Sequence, residues 1–115
     1  MFDFEYTPGK RGIEKVLGRI ESKIMRIMWE KKKATAKEIF EDLDEGKRSS
    51  VSILLKRLCE KDLLSREEEV AKGGMRYVYS VKVDKQLFER IVVKRVMDSL
   101  MNSFEQSLKE YLKER

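Results

Sequence analysis

Between residues 47 and 58 the chain carries Lys47, Arg48, Lys56 and Arg57 and no acidic side chain. Among them stand Ser49, Ser50 and Ser52, whose short hydroxyls let a backbone approach a ligand closely and donate to it. Cations without acids create a local positive field, which suits phosphate and the edges of bases. Ile53, apolar among these polar neighbours, is the right kind of group to meet a thymine methyl. A smaller pair of cations, Lys72 and Arg76, brackets Gly73-Gly74. Other chemistries are poorly supplied. The 115 residues include no His, the commonest general base and metal ligand. The single cysteine, Cys59, allows neither an internal disulfide nor a cysteine-built metal site, and its apolar neighbours make it a structural thiol. No phosphate loop or catalytic carboxylate pair stands out. The expectation is a protein that is not an enzyme and needs no cofactor or metal.

The net charge of +5, from 26 basic and 21 acidic residues, is unevenly spread. Residues 1–46 balance to zero, and residues 47–64 hold five bases against two acids. The excess therefore belongs to one short stretch, and the elements around it decide what it faces. Leu17, Ile20, Ile24, Ile27 and Met28 recur at three- and four-residue steps, which predicts a helix ended by Lys31, Lys32 and Lys33. Thr35 and Glu38 have the spacing of a capping box opening a second, short helix with Ile39, Phe40 and Leu43 inward, closed by Asp44, Glu45 and Gly46. Ser49 and Ser50 are N-cap candidates for a third helix reaching about Lys61. On it Val51, Leu54, Leu55 and Leu58 share one face, and Ser49, Ser52, Ile53 and Lys56 the other. Two short helices joined by a tight link, the second with a basic free face, form a helix-turn-helix.

Residues 65–70 and 75–83, rich in Val and Tyr and separated by Ala71, Lys72, Gly73 and Gly74, read as a β-hairpin. A hairpin directly after a recognition-type helix is a wing. Asp84 is placed to cap a further helix, with Asn102 as its C-cap and Ser103 and Gln106 as the capping box of a last one. Phe88, Ile91, Val92, Leu100, Phe104 and Leu108 make an apolar stripe wider than one small winged domain can bury, so a second copy of the chain is the expected partner.

Several residue strings, in this order, resemble the penicillinase and methicillin-resistance repressor family. They are the run from Leu17 to Trp29, Ala34 to Ile39, Ser49-Ser50-Val51 with Leu55-Lys56-Arg57-Leu58, Lys61-Asp62-Leu63-Leu64, and Arg76-Tyr77-Val78-Tyr79-Ser80. The resemblance implies a homodimer whose winged domains bind a palindromic operator, with Ser49, Ser50, Ser52, Ile53 and Lys56 facing the DNA. Asp62 stands where that family usually has glycine. The cysteine cluster of its copper-responsive branch is missing, so copper sensing is not expected.

The fold expected is α+β and mostly helical. It comprises an N-terminal arm (1–16), a winged helix-turn-helix domain (17–83) and a helical dimerisation region (84–115). The expected function is transcription regulation, as a repressor binding an inverted-repeat operator in double-stranded DNA. The DNA-facing residues are Lys47, Arg48, Ser49, Ser50, Ser52, Ile53, Lys56, Lys72 and Arg76. The competing reading, a winged-helix protein-interaction module of a transcription assembly, is disfavoured by the acid-free segment. No apolar run has the length of a membrane span and no signal peptide is legible, so a cytoplasmic protein is expected.

Overall fold

In α1, Arg19–Lys31, the three- and four-residue spacing of Ile24, Met25 and Met28 puts all three on one side, where they are fully buried, with Trp29 nearly so. The computed structural model of the chain describes residues 2–115. Gly18 is the N-cap of α1, two residues later than the apolar pattern suggests. At the other end Lys32 takes a positive φ of 70°, its amide bonding back to the Met28 carbonyl, and turns the chain sharply.

That turn leads into β1, Lys33–Thr35, an element absent from the sequence reading, where the lysine run served only to end a helix. β1 pairs antiparallel with β3, Gly74–Val81, at Lys33↔Ser80, Ala34↔Tyr79 and Thr35↔Val78. β3 in turn pairs with β2, Leu64–Ala71, giving the sheet order β1-β3-β2. A three-residue strand carries too little alternation to be read from sequence; its pairing partner lies over forty residues away.

Thr35 also begins α2, Ala36–Leu43. The Glu38 amide donates to Thr35 Oγ1 at 3.3 Å, and the Thr35 amide donates to Glu38 Oε1 at 3.1 Å, closing the reciprocal cap its spacing suggests. Ile39 and Leu43 are the buried side of α2. Asp44, with φ 62°, takes the left-handed position after the helix, and Gly46, with φ 85°, a second one. Glu45 between them is held by Arg19 and Lys23 of α1, so the link into the next helix is pinned from the first.

α3, Arg48–Glu60, buries Val51, Leu55 and Leu58 against this core. Asp62 follows at φ 62°, a left-handed conformation that Asp tolerates better than most residues. Leu63 and Leu64 are buried where the chain enters β2. Trp29 Nε1 donates to the Val83 carbonyl at 2.9 Å, fastening the end of the sheet to α1.

The N-terminal residues are more ordered than the expected arm. Gly12–Lys15 forms a short 3₁₀ helix, the Thr7 amide donates to the Lys15 carbonyl at 2.6 Å, and Val16 and Leu17 are buried. One compact unit ends at Asp84, and a second comprises Lys85–Arg115. The second unit is α4, Lys85–Glu114, broken at Phe104, whose φ of −137° and ψ of 46° are non-helical. The expected division at Asn102 and Ser103 thus falls at Phe104.

Candidate nucleic-acid interface

The buried side of α3 is Val51, Leu55 and Leu58, with Leu54 and Cys59 half-buried at its flanks, and the remaining residues face outward. Lys47 is the N-cap, and Arg48, Ser49 and Ser50 form an exposed first turn. Neither serine is the cap, contrary to the sequence expectation, and the Lys47 side chain makes no capping bond. The first-turn amides and the Ser49 and Ser50 hydroxyls are therefore presented together at the positive end of the helix dipole, with no acid in that turn. Ser52 Oγ donates to the Arg48 carbonyl at 3.2 Å and fixes that turn. Ile53 is 55% exposed, high for an aliphatic side chain on a helix with a packed underside.

Arg48, Ser52 and Lys56, at four-residue steps, form one wall of an open groove of about 490 Å³. Thr35, Ala36 and Lys37 at the start of α2 line a second side, and Arg66, Arg76, Tyr77 and Tyr79 of the wing a third. Five cations and no carboxylate line it. Two acids beside it are already engaged. Glu38 is locked in the α2 cap, where the Thr35 amide and hydroxyl hold its carboxyl below the usual range. Glu69 pairs with Arg76 across the hairpin at 3.2 Å. Among the described residues Lys37, Arg48 and Lys56 have no acidic partner, so their charge is directed at solvent.

The aromatic floor has its own order. The Arg66 guanidinium lies 4.3 Å from the centre of the Tyr77 ring, a cation–π contact that fixes its plane, and it also bonds to the Tyr79 hydroxyl. Burial pushes the Tyr79 phenol up, leaving it a neutral hydrogen-bonding group at neutral pH. An extended polyanion, not a small neutral molecule, matches a channel with cations on three sides and flat donors at its base.

Lys37, Arg66 and Tyr77 were missed as site residues. Each has a faint signal: Lys37 lies inside the capping-box string, and Arg66 is the lone base before Glu67, Glu68 and Glu69. Once the hairpin is paired, Arg66 sits opposite Tyr79 and one step from Tyr77, but only the packing of the sheet beside α3 shows that they face Lys56. Lys72 and Gly73 are the two residues of the wing turn, Gly73 with φ 94°. Lys72 is exposed there, whereas Arg76 is tied to Glu69. Cys59 is half-buried, and burial pushes its thiol up, away from the reactive thiolate.

On α4, Ile91, Val92 and Leu100 are half-buried and Phe104 is 61% exposed. Phe88 is only 1% exposed and Leu108 8%. Val93 and Met97 are exposed on the same helix. Among the described residues no helix is long and apolar enough to cross a membrane.

Comparison with known proteins agrees with this geometry. The profile of a family described as penicillinase repressor matches residues 17–115. A PadR family transcription regulator from hypervirulent Clostridium difficile R20291 is similar in structure, with a TM-score of 0.54 and 26% identity over 76% of this chain and 98% of that one. A possible transcriptional regulator from Methanosarcina mazei Go1 shares the fold at a TM-score of 0.62 and 22% identity, covering 83% of this chain and 79% of that one. Among curated proteins none matches significantly.

Proposed function

This chain belongs to the penicillinase repressor family and is a DNA-binding transcription regulator of the winged-helix class, and on that premise we propose that it represses by seating two copies on an inverted-repeat operator. The observation that carries the proposal is the acid-free groove, where Arg48, Ser52 and Lys56 of α3 share a wall-to-wall space with Lys37 and Arg66. In this reading the first turn of α3 enters the major groove, with Ser49, Ser50, Ser52 and Ile53 at base edges. Lys37, Lys47, Arg48, Arg66 and Arg76 hold phosphates on either side, and Lys56 reaches a base or a phosphate. Lys72 approaches from the wing turn.

The second copy is supported by the apolar surface of α4. Ile91, Val92, Leu100 and Phe104, with Val93 and Met97, leave an amount of hydrocarbon in water that a second copy of the same helix would cover. A dimer bound across an operator blocks a promoter by occupancy, which needs no ligand or catalytic step.

Selection of duplexes from a random pool by the full chain tests the reading. Recovered fragments should carry two inverted half-sites centred about ten base pairs apart, or a multiple of that. Placed over a promoter, such a site should lower reporter output when the chain is expressed. Recovery of single half-sites, or sedimentation of the full chain as a monomer at micromolar concentration, overturns the dimer. Failure to retain any duplex at low salt overturns the DNA reading itself.

A further inference from the structure

The N-terminal residues lie ahead of the family match at 17–115 and build a feature of their own. Phe2 is buried and packs against Phe4, their ring centres 5.3 Å apart. The Thr7 amide donates to the Lys15 carbonyl, and the Lys15 ammonium donates to the Pro8 carbonyl at 2.7 Å. The chain from Thr7 to Lys15 is therefore a loop tied twice. This segment and the start of α1 border an open cavity of about 420 Å³, completed by Lys61 at the end of α3. Most of the lining precedes Leu17, so the cavity is built largely outside the segment that the family profile matches.

Its chemistry is mixed in a particular way. Lys10, Arg19 and Lys61 bring three positive charges to the lining, and Glu5 and Glu14 two negative ones. Arg19 and Lys61 are already paired with acids outside the lining, Glu45 and Glu21, the latter at 3.2 Å. Lys10, Glu5 and Glu14 have no ionic partner among the described residues. Phe4, Val16 and Leu17 supply the apolar wall. A simple anion such as phosphate meets two uncompensated carboxylates here, and a simple cation meets three bases. A neutral apolar molecule leaves both signs unanswered. A zwitterion that carries a hydrocarbon group matches all three kinds of surface, and the volume lies within the range of small-molecule pockets.

From this we infer that the cavity is a binding site for a free α-amino acid with an apolar side chain. Its ammonium sits at Glu5 and Glu14, its carboxylate at Lys10 and Arg19, and its side chain against Phe4, Val16 and Leu17. The site also reaches both ends of the recognition helix. Arg19 holds Glu45 in the link before α3, and Lys61 is the C-cap that closes α3. A ligand carboxylate that draws on Arg19 competes with Glu45 and slackens this link, so occupancy weakens operator binding. The Arg19–Glu45 pair is 62% and 26% exposed, and an ion pair so open to water sets an effect of several-fold and not an on–off switch. This consequence rests on the DNA-binding reading above; the amino-acid site does not.

The test titrates the full chain with L-leucine, L-methionine and L-phenylalanine. The controls are 4-methylpentanoate and 3-methylbutylamine, which are leucine without its ammonium and without its carboxylate. At about ten times its dissociation constant, at least one amino acid should raise the melting temperature by several degrees. Both truncated analogues should bind about tenfold more weakly than leucine, or worse. Lys10→Ala and Glu14→Gln, whose side chains have no ion pair to lose, should melt and bind the duplex as the wild type does, yet lose about tenfold in affinity for the amino acid. The bound amino acid should lower affinity for a duplex recovered by the selection above about threefold to tenfold. The site is overturned if none of the three amino acids binds at millimolar concentration, if 4-methylpentanoate binds as tightly as leucine, or if both variants bind undiminished. Amino-acid binding with no change in duplex affinity overturns the coupling to α3 and leaves the site standing. If the wild type retains no duplex in the absence of any amino acid, the failure belongs to the DNA reading, and the melting curves still decide the site.

Discussion

Lys56→Ala gives the most direct test of the groove, because its effect on salt dependence can be worked from the cations present. Lys37, Arg48, Lys56 and Arg66 line the groove without a carboxylate bonded to any of them, and two copies on one operator present each of these twice. If all contact phosphate, these four alone contribute about −7 to the slope of log K against log salt. Between about 50 and 200 mM salt, that contribution should cost the wild type roughly 10⁴-fold in affinity. Lys56→Ala removes a contact from each copy, so its slope should be shallower by about 2 and its loss over the same range roughly tenfold smaller. The two lines therefore converge as salt rises, and the variant's defect is greatest in dilute buffer. Fluorescence anisotropy of a labelled operator duplex, titrated at several salt concentrations, measures both quantities. Should Lys56 donate to a guanine instead, the defect is about 1–3 kcal/mol at that base pair and the slope barely moves. Lys94→Ala removes a cation already paired with Asp98 at 2.7 Å and should leave the slope alone. Wild-type affinity and wild-type slope in Lys56→Ala would refute the groove as the interface.

Two stability experiments probe the scaffold that aims the groove. Thr35→Ala opens the α2 cap and should cost about 1 kcal/mol in urea unfolding; equality with the wild type would mean the cap is replaced by other bonds. Because the Glu38 carboxyl is held below its ordinary 4.5, the cap stabilises the fold above that pH and loses its effect as pH falls through the lowered value. The wild type should therefore weaken with acid more steeply than Thr35→Ala, and parallel acid limbs would contradict this. Leu55→Ala empties a fully buried site under α3 and should cost about 3–5 kcal/mol, with operator binding lost in proportion to unfolding; a change under about 1 kcal/mol would show that this core is not close-packed.

Much of this protein follows from local pattern. The helix-turn-helix was legible because Leu17 to Met28, Ile39 to Leu43 and Val51 to Leu58 each repeat at helical steps, and side-chain period is a property of the backbone alone. The Thr35–Glu38 cap is legible for the same reason: both partners lie within one turn. The wing turn and its strand register follow from Gly73, which supplies the positive φ, and from the strands it joins. The positive charge of residues 47–58 is a matter of composition, and no packing alters it.

What the sequence could not reveal depends on residues distant along the chain. β1 exists because Lys33 to Thr35 find β3, and three residues without a partner have no strand signal of their own. Lys37 and Arg66 joined Lys56 only when the sheet packed beside α3, since their separate surroundings, a cap and an acidic strand, suggest nothing shared. The pairing of Arg76 with Glu69 has the same origin, since only the strand register sets the two side by side. Phe88 and Leu108 share the spacing of Ile91, Val92, Leu100 and Phe104, but spacing names a face and not how deep each residue sits: these two are buried and Phe104 is 61% exposed. Ser49 and Ser50 likewise lost the cap to Lys47 by a shift of two or three residues, because a helix end is decided by the turn that Glu45 anchors to α1 as much as by its own residues. Periodicity and charge are carried by neighbours in sequence and survive in any fold; pairing, burial and the convergence of cations on one groove are carried by neighbours in space, which only the packed chain creates.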